Sequence, residues 1–167
     1  MKQVEFDKAV YTPFTNIVNS THDVYILVEQ IEGMKRFLFR DKQGMITQKV
    51  GTFLSSSMSE ILKQLEQSGL VPQDDEKQMQ LLDSNIEFLK NIPVVKLDFA
   101  FEPSITFVSE VNSALCKQIG RKVVLDIYVN QFLVAGANFE YEGKYKEYSL
   151  ALKIDNFIAE KIAGISK

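Results

Sequence analysis

The sequence predicts an α+β protein: an N-terminal helical part over residues 1–93, then a small mixed-sheet α/β domain over residues 94–167, in the order strand-helix-strand-strand-strand-helix. Three observations carry this. Up to about Pro93 the apolar residues recur at helical spacing. Beyond it they alternate, apolar and polar, at a spacing of two. Between the first two alternating segments stands a helical stretch long enough to bring them together as parallel neighbours with a right-handed crossover.

Taken in order, the segment before Pro13 reads as a short helix. From Val24 onward, Leu27, Val28, Ile31, Met34, Phe37 and Leu38 share one helical face, with Thr21 as a candidate N-cap and Gly33 a mild weakness within. Residues 41–56, with Gly44, Gly51 and a run of serines, read as loop with room for a short helix. A second long helix is expected over 58–68, because Ser57 followed by Glu60 matches a capping box and Gly69 with Pro72 marks a stop. A third is expected over 74–90. Asp74, Asp75 and Glu76 in its first turn suit the helix dipole, and Met79, Leu82, Ile86 and Leu89 lie along one side.

In the second half, Val95, Leu97, Phe99 and Phe101 alternate with Lys96, Asp98 and Ala100 as a strand with one buried face. Pro103 is expected to open the crossover helix, with Ile105, Val108, Val111, Leu115 and Ile119 as its buried stripe and Gly120 as its stop. Val123, Leu125, Ile127 and Val129 alternate again. A strand over 132–141 reaches the turn Glu142-Gly143, then a strand over 144–149 follows. A last helix from about Ser149 would pack through Leu150, Ile154, Phe157, Ile158, Ile162 and Ile165.

The composition bears on function by exclusion. Of 167 residues, 46% are hydrophobic, enough for one ordinary core or two small ones, and the formal net charge is −3. A mildly acidic chain is a poor general binder of nucleic acid, whose affinity comes mostly from Lys and Arg on phosphates. The basic-aromatic run KYKEY fits a strand edge defended by lysines better than a stacking platform for bases. His22 and Cys116 are the only residues of their types. His22 beside Asp23 would suit an oriented base, but no serine or cysteine context supplies a nucleophile. A zinc site needs more ligands than one His and one Cys. Cys116 has no CxxC partner, and the acids at 74–76 are accounted for by the helix start. Neither phosphate-loop spacing, GxxxxGK[ST] nor GxGxxG, occurs. The expectation is no enzyme activity, no cofactor and no metal. With no apolar run near the ~18 residues of a membrane span and no secretory pattern at the start, a cytoplasmic chain is expected.

One stretch rises above this background: VVLDIYVNQFLVAGANFEYEG, residues 123–143. A glycine inside a strand weakens it, so Ala135-Gly136 marks a bulge or a close backbone approach. The stretch resembles the signature of the delta subunit of F-type ATP synthases, the family of the mitochondrial oligomycin-sensitivity-conferring subunit. The matching residues are Val123 and Leu125, the aliphatic-polar pair Val129-Asn130, Leu133, the small pair Ala135-Gly136 followed by Ala137, and the polar Glu140 ahead of the turn residue Glu142. Phe139 stands where the family prefers an aliphatic. Glu147-Tyr148-Ser149 is similar to the family's acid-spacer-serine before its last helix, and Gly120-Arg121-Lys122 to its glycine-basic-basic. The resemblance spans about residues 94–160. The family's N-terminal six-helix bundle is usually longer than what precedes Pro93 here, and FDKAVYTPF departs from its Ala-rich opening.

The resemblance implies a non-catalytic stator, or peripheral-stalk, subunit that joins the catalytic head to the stalk and so supports proton-driven ATP synthesis. Its partners would be the N-terminal helices of the head's alpha subunits and the stalk b subunits. Its place would be peripheral on the inner face of the cell membrane, without insertion and without nucleic acid. Two alternatives remain beside it: a stalk subunit of a V/A-type ATPase, or an unrelated protein-protein adaptor.

Overall fold

A computed structural model describes residues 6–38, 44–51, 54–133 and 135–149, with residues 147–149 described by backbone alone. The fold is α+β, helices first and a mixed sheet after. The helix expected from Ser149 onward lies outside the described residues. The described chain divides into two compact units: one through Val18 and His22–Ile92, the other Asn19–Thr21 with the chain from Pro93 on.

Among its described residues, every element of the first unit is a helix. A 3-10 turn, Lys8–Val10, leads into α1, Thr12–Asn16. Pro13 stands in the first turn of α1 and opens that helix, where its missing N–H is no loss. Helix α2 spans Thr21–Lys35 and buries Leu27, Val28, Ile31 and Met34 as the spacing predicts. Thr21 is its first helical residue, one place inside the expected cap position, and its hydroxyl donates to Asp126 Oδ1 at 3.1 Å. Helix α3, Ile46–Val50, is the short helix for which the loop over residues 41–56 left room. Helix α4, Ser56–Gln67, is capped by Ser55, whose hydroxyl accepts from Met58 N at 3.3 Å, two residues ahead of the expected Ser57. It ends with paired bonds, Leu70 N to Leu65 O and Gly69 N to Glu66 O, that require the left-handed φ of 69° at Gly69. Helix α5, Asp75–Lys90, is capped by Asp74. Its buried side includes Gln78 and Asn85 among the leucines, while Met79 is only half-buried.

A helix as short as α3 has too few internal bonds to stand alone, so its anchors are polar. Glu66 of α4 accepts from both the backbone N and the hydroxyl of Thr47, at 2.9 and 2.5 Å. The Lys49 side chain, 0% exposed, donates to Asp75 Oδ1 at 2.6 Å and Gln78 Oε1 at 3.0 Å. Gln78 Nε2 in turn donates to the carbonyls of Gly44 and Pro72. Every polar group in this buried knot has a partner, which burial demands.

The second unit is a sheet of order β2-β1-β3-β4. Strands β1, Val94–Phe99, and β2, Val124–Val129, are parallel neighbours joined by α6, Ile105–Ile119. Strand β3, Gly136–Tyr141, runs antiparallel to β1 and to β4, Lys144–Ser149. Helix α6 is capped by Ser104, not opened by Pro103, which precedes the cap. Ile105 is consequently 89% exposed, outside the stripe of Val108, Val111, Leu115 and Ile119 that packs on Val95, Leu97 and Leu125. The buried Asn112 on the same helix face donates to the carbonyls of Val123 and Asn19. With Leu125 N donating to Asn19 O at 2.9 Å, these bonds lay Asn19–Thr21 along the outer edge of β2, where Ser20 pairs in parallel with Leu125. That edge is therefore covered by the segment that leads into α2.

Candidate interaction surface

Sheet register sorts the side chains into two faces. Val95, Leu97, Phe99, Leu125, Ile127, Ala137 and Phe139 look toward α6. Lys96, Asp98, Asp126, Tyr128, Asn138 and Glu140 look the other way.

The residues singled out from sequence fall into three groups. Val123 and Leu125 are core residues, buried where β2 begins. Glu140 is on the polar face and pairs with Lys96 at 3.5 Å across β1 and β3. The remainder gather where β1 and β2 end. Val129 closes β2 and is half exposed. Asn130 N continues the ladder to Phe99 O at 2.8 Å, while its Oδ1 accepts from Phe132 N at 3.0 Å. Leu133 N donates to Asn130 O at 3.2 Å. This is an Asx turn, and it gives a polar residue at 130 a physical reason: the side-chain carbonyl replaces a backbone acceptor. Ala135 and Gly136 have φ of 96° and 107°, so two consecutive residues stand in the region that favours glycine. Strand β3 therefore begins at Gly136, not at Phe132, and Gly136 is its first residue and not an interior one. Gly136 O accepts from Ala100 N at 3.2 Å, and Ser149 is its register partner on β4.

The Asx turn lifts Phe132 to its tip, where the ring is 96% exposed. Beside it, Asp98, Tyr128, Val129, Asn130 and Gln131 line an open depression of about 450 Å³. The Tyr128 hydroxyl donates to Asp126 Oδ2 at 3.0 Å, and that bond, followed by the charge of Asp126, holds the phenol above its ordinary pKa. Near the same end of β1, Phe99, Phe101 and Phe107 pack ring to ring with centroids 5.7–5.8 Å apart. Asp98, Tyr128 and Phe132 were not singled out from sequence: an acid and a tyrosine on the polar side of alternating strands look like ordinary solvated positions.

His22 is exposed, and Cys116 is half-buried with its thiol turned to Asn112 Oδ1 and Val123 O. No group of three or more His, Cys, Asp or Glu side chains suited to a metal ion occurs among the described residues. Nor, among them, is any helix long and apolar enough to cross a membrane.

These features define a two-unit α+β chain with an aromatic and acidic surface at the carboxyl end of its parallel strands. No protein-family model matches the chain, and no curated protein does. Among solved structures it is similar to a chain of the Toxoplasma gondii mitochondrial ATP synthase hexamer, a cryo-EM composite model, at 11% identity and a TM-score of 0.37, over 90% of this chain and 77% of that one. An overlay that loose carries no argument about fold or role.

Proposed function

We propose that this chain is a non-catalytic stator subunit of an F-type ATP synthase, holding the catalytic head to the peripheral stalk so that proton-driven rotation yields ATP. One observation carries the reading. The signature that residues 123–149 resemble asks for a polar residue at 130 and a small pair at 135–136, and the backbone needs those types there. Asn130 closes an Asx turn, and Ala135-Gly136 take left-handed φ values where β3 begins. A match that coincides with local stereochemistry is more specific than spacing alone. The order of units, helices and then a mixed sheet, is also that of the delta family.

In this role the work is mechanical. Amphipathic helices of the first unit would seat the N-terminal helices of the alpha subunits, and the second unit would receive the ends of the stalk b subunits. No residue need perform chemistry or hold a cofactor, and the chain would lie at the inner face of the membrane without entering it.

The test is affinity purification of the tagged chain from detergent-solubilised membranes of its own cells. Head subunits alpha and beta and stalk subunit b are expected in proportion to the bait. Recovery of a V/A-type stalk in their place, or of no rotary ATPase at all, would refute the assignment.

A further inference from the structure

On the polar face of the sheet, two acceptors have no hydrogen-bond partner among the described residues. Its one lysine among the six residues named above, Lys96, is engaged by Glu140. Asp126 accepts from Thr21 and from Tyr128. That leaves two neighbours. The Asp98 carboxylate makes no hydrogen bond or ion pair among the described residues. Asn138, directly opposite Asp98 in the β1–β3 register, is only 7% exposed and lies behind the depression, not in its lining; its Oδ1 has no partner among the described residues. Side chains so opposed stand roughly 5 Å apart at Cβ on one face.

We infer that the depression at the carboxyl end of β1 and β2 binds the guanidinium of an arginine side chain on a partner protein. The Asp98 carboxylate at this depression accepts and, when ionised, cannot donate. The rings of Tyr128 and Phe132 stand at the same depression as Asp98. A planar cation is the group that satisfies both, because it donates to a carboxylate in a fork and lies flat on an aromatic face. A metal ion fits less well, since among the described residues Asp98 is the one carboxylate lining the depression and no three-ligand group surrounds it. The exposure of Phe132 has the same explanation: a ring held at a turn tip is costly in water but useful as a platform. This inference stands apart from the stator reading, since the arginine could belong to any partner.

The experiment is a ¹⁵N-NMR titration of the full chain with N-acetyl-arginine methylamide, and separately with its uncharged citrulline counterpart, over about 1–50 mM, the range expected for one side chain's contacts. The arginine probe is expected to shift the amides of Asp98, Tyr128 and Asn138 along one saturating curve, and the citrulline probe to leave them in place. Asp98→Asn keeps the shape of the side chain and should weaken binding about tenfold. Phe132→Ala, at a position with almost no packing to lose, should weaken it by a smaller factor. The inference is overturned by absent or non-saturating shifts, by equal response to citrulline, by equal shifts at Glu110 on α6 at the other face of the sheet, or by unchanged affinity in Phe132→Ala together with Asp98→Asn. Each of these outcomes leaves the synthase purification above free to succeed or fail independently.

Discussion

Asp75→Ala should destabilise the helical unit by about 3–5 kcal/mol, the largest effect expected of any single substitution considered for this chain. The reason is asymmetry within the pair. Lys49 has a wholly buried side chain, whereas that of Asp75 is 25% exposed. Removing the acid strands an ammonium in the interior with Gln78 Oε1 as its remaining partner among the described residues. Removing the base, in Lys49→Met, leaves a carboxylate that water reaches and that still lies in the first turn of α5, where the dipole favours it. The methionine also fills most of the lysine's volume. Lys49→Met should therefore cost about 1–3 kcal/mol, and the double variant should cost less than the sum of the two singles. Urea unfolding followed by circular dichroism measures all three. Equal small losses would show that the pair is solvated and that α3 is held by Thr47 and Glu66 instead.

Gly136→Val should cost about 1–3 kcal/mol, and the loss should fall on the sheet. A β-branched residue at a φ of 107° forces its side chain against its own backbone. The strand cannot turn away, because Gly136 O accepts from Ala100 and its register partner is Ser149. Ala135→Gly is the complementary change. Ala135 already holds a φ of 96° with a Cβ in place, so glycine should relieve strain and leave stability unchanged or raised by up to about 1 kcal/mol. Amide hydrogen exchange reads the difference locally. The amides of β1 and β3 should lose protection in Gly136→Val while those of α4 and α5 keep theirs. Neutral behaviour in both variants would mean that the two positive φ values store no strain, and the small-residue pair would lose its physical basis.

The helical and the alternating halves were legible because burial repeats with the period of each element. Leu27, Val28, Ile31 and Met34 lie on one face of α2, and Val95, Leu97 and Phe99 on one face of β1. Ends were less legible. Ser55 and Ser57 are chemically alike, and only backbone angles decide which of them caps α4. Pro103 and Ser104 both favour a helix start, and the hydroxyl that reaches Phe107 N takes the cap. The start of β3 was misjudged because Phe132 and Leu133 continue the apolar texture, whereas the Asx turn at Asn130 breaks the extended path. Polar residues in the core were not legible at all. Lys49, Gln78 and Asn112 belong to types that normally face water, and their burial follows from partners far away in sequence. The acceptors at Asp98 and Asn138 were hidden for the same reason, since only the pairing of β1 with β3 sets them side by side.

The most direct measurement of the stator role is proton-driven ATP synthesis by membrane vesicles depleted of this chain and then resupplied with it. Depleted vesicles should make ATP at a small fraction of the normal rate while the detached head still hydrolyses ATP, because torque then spins the head instead of driving catalysis. Adding the purified chain should restore synthesis. Full synthesis without the chain, or loss that the purified chain does not repair, would contradict the account.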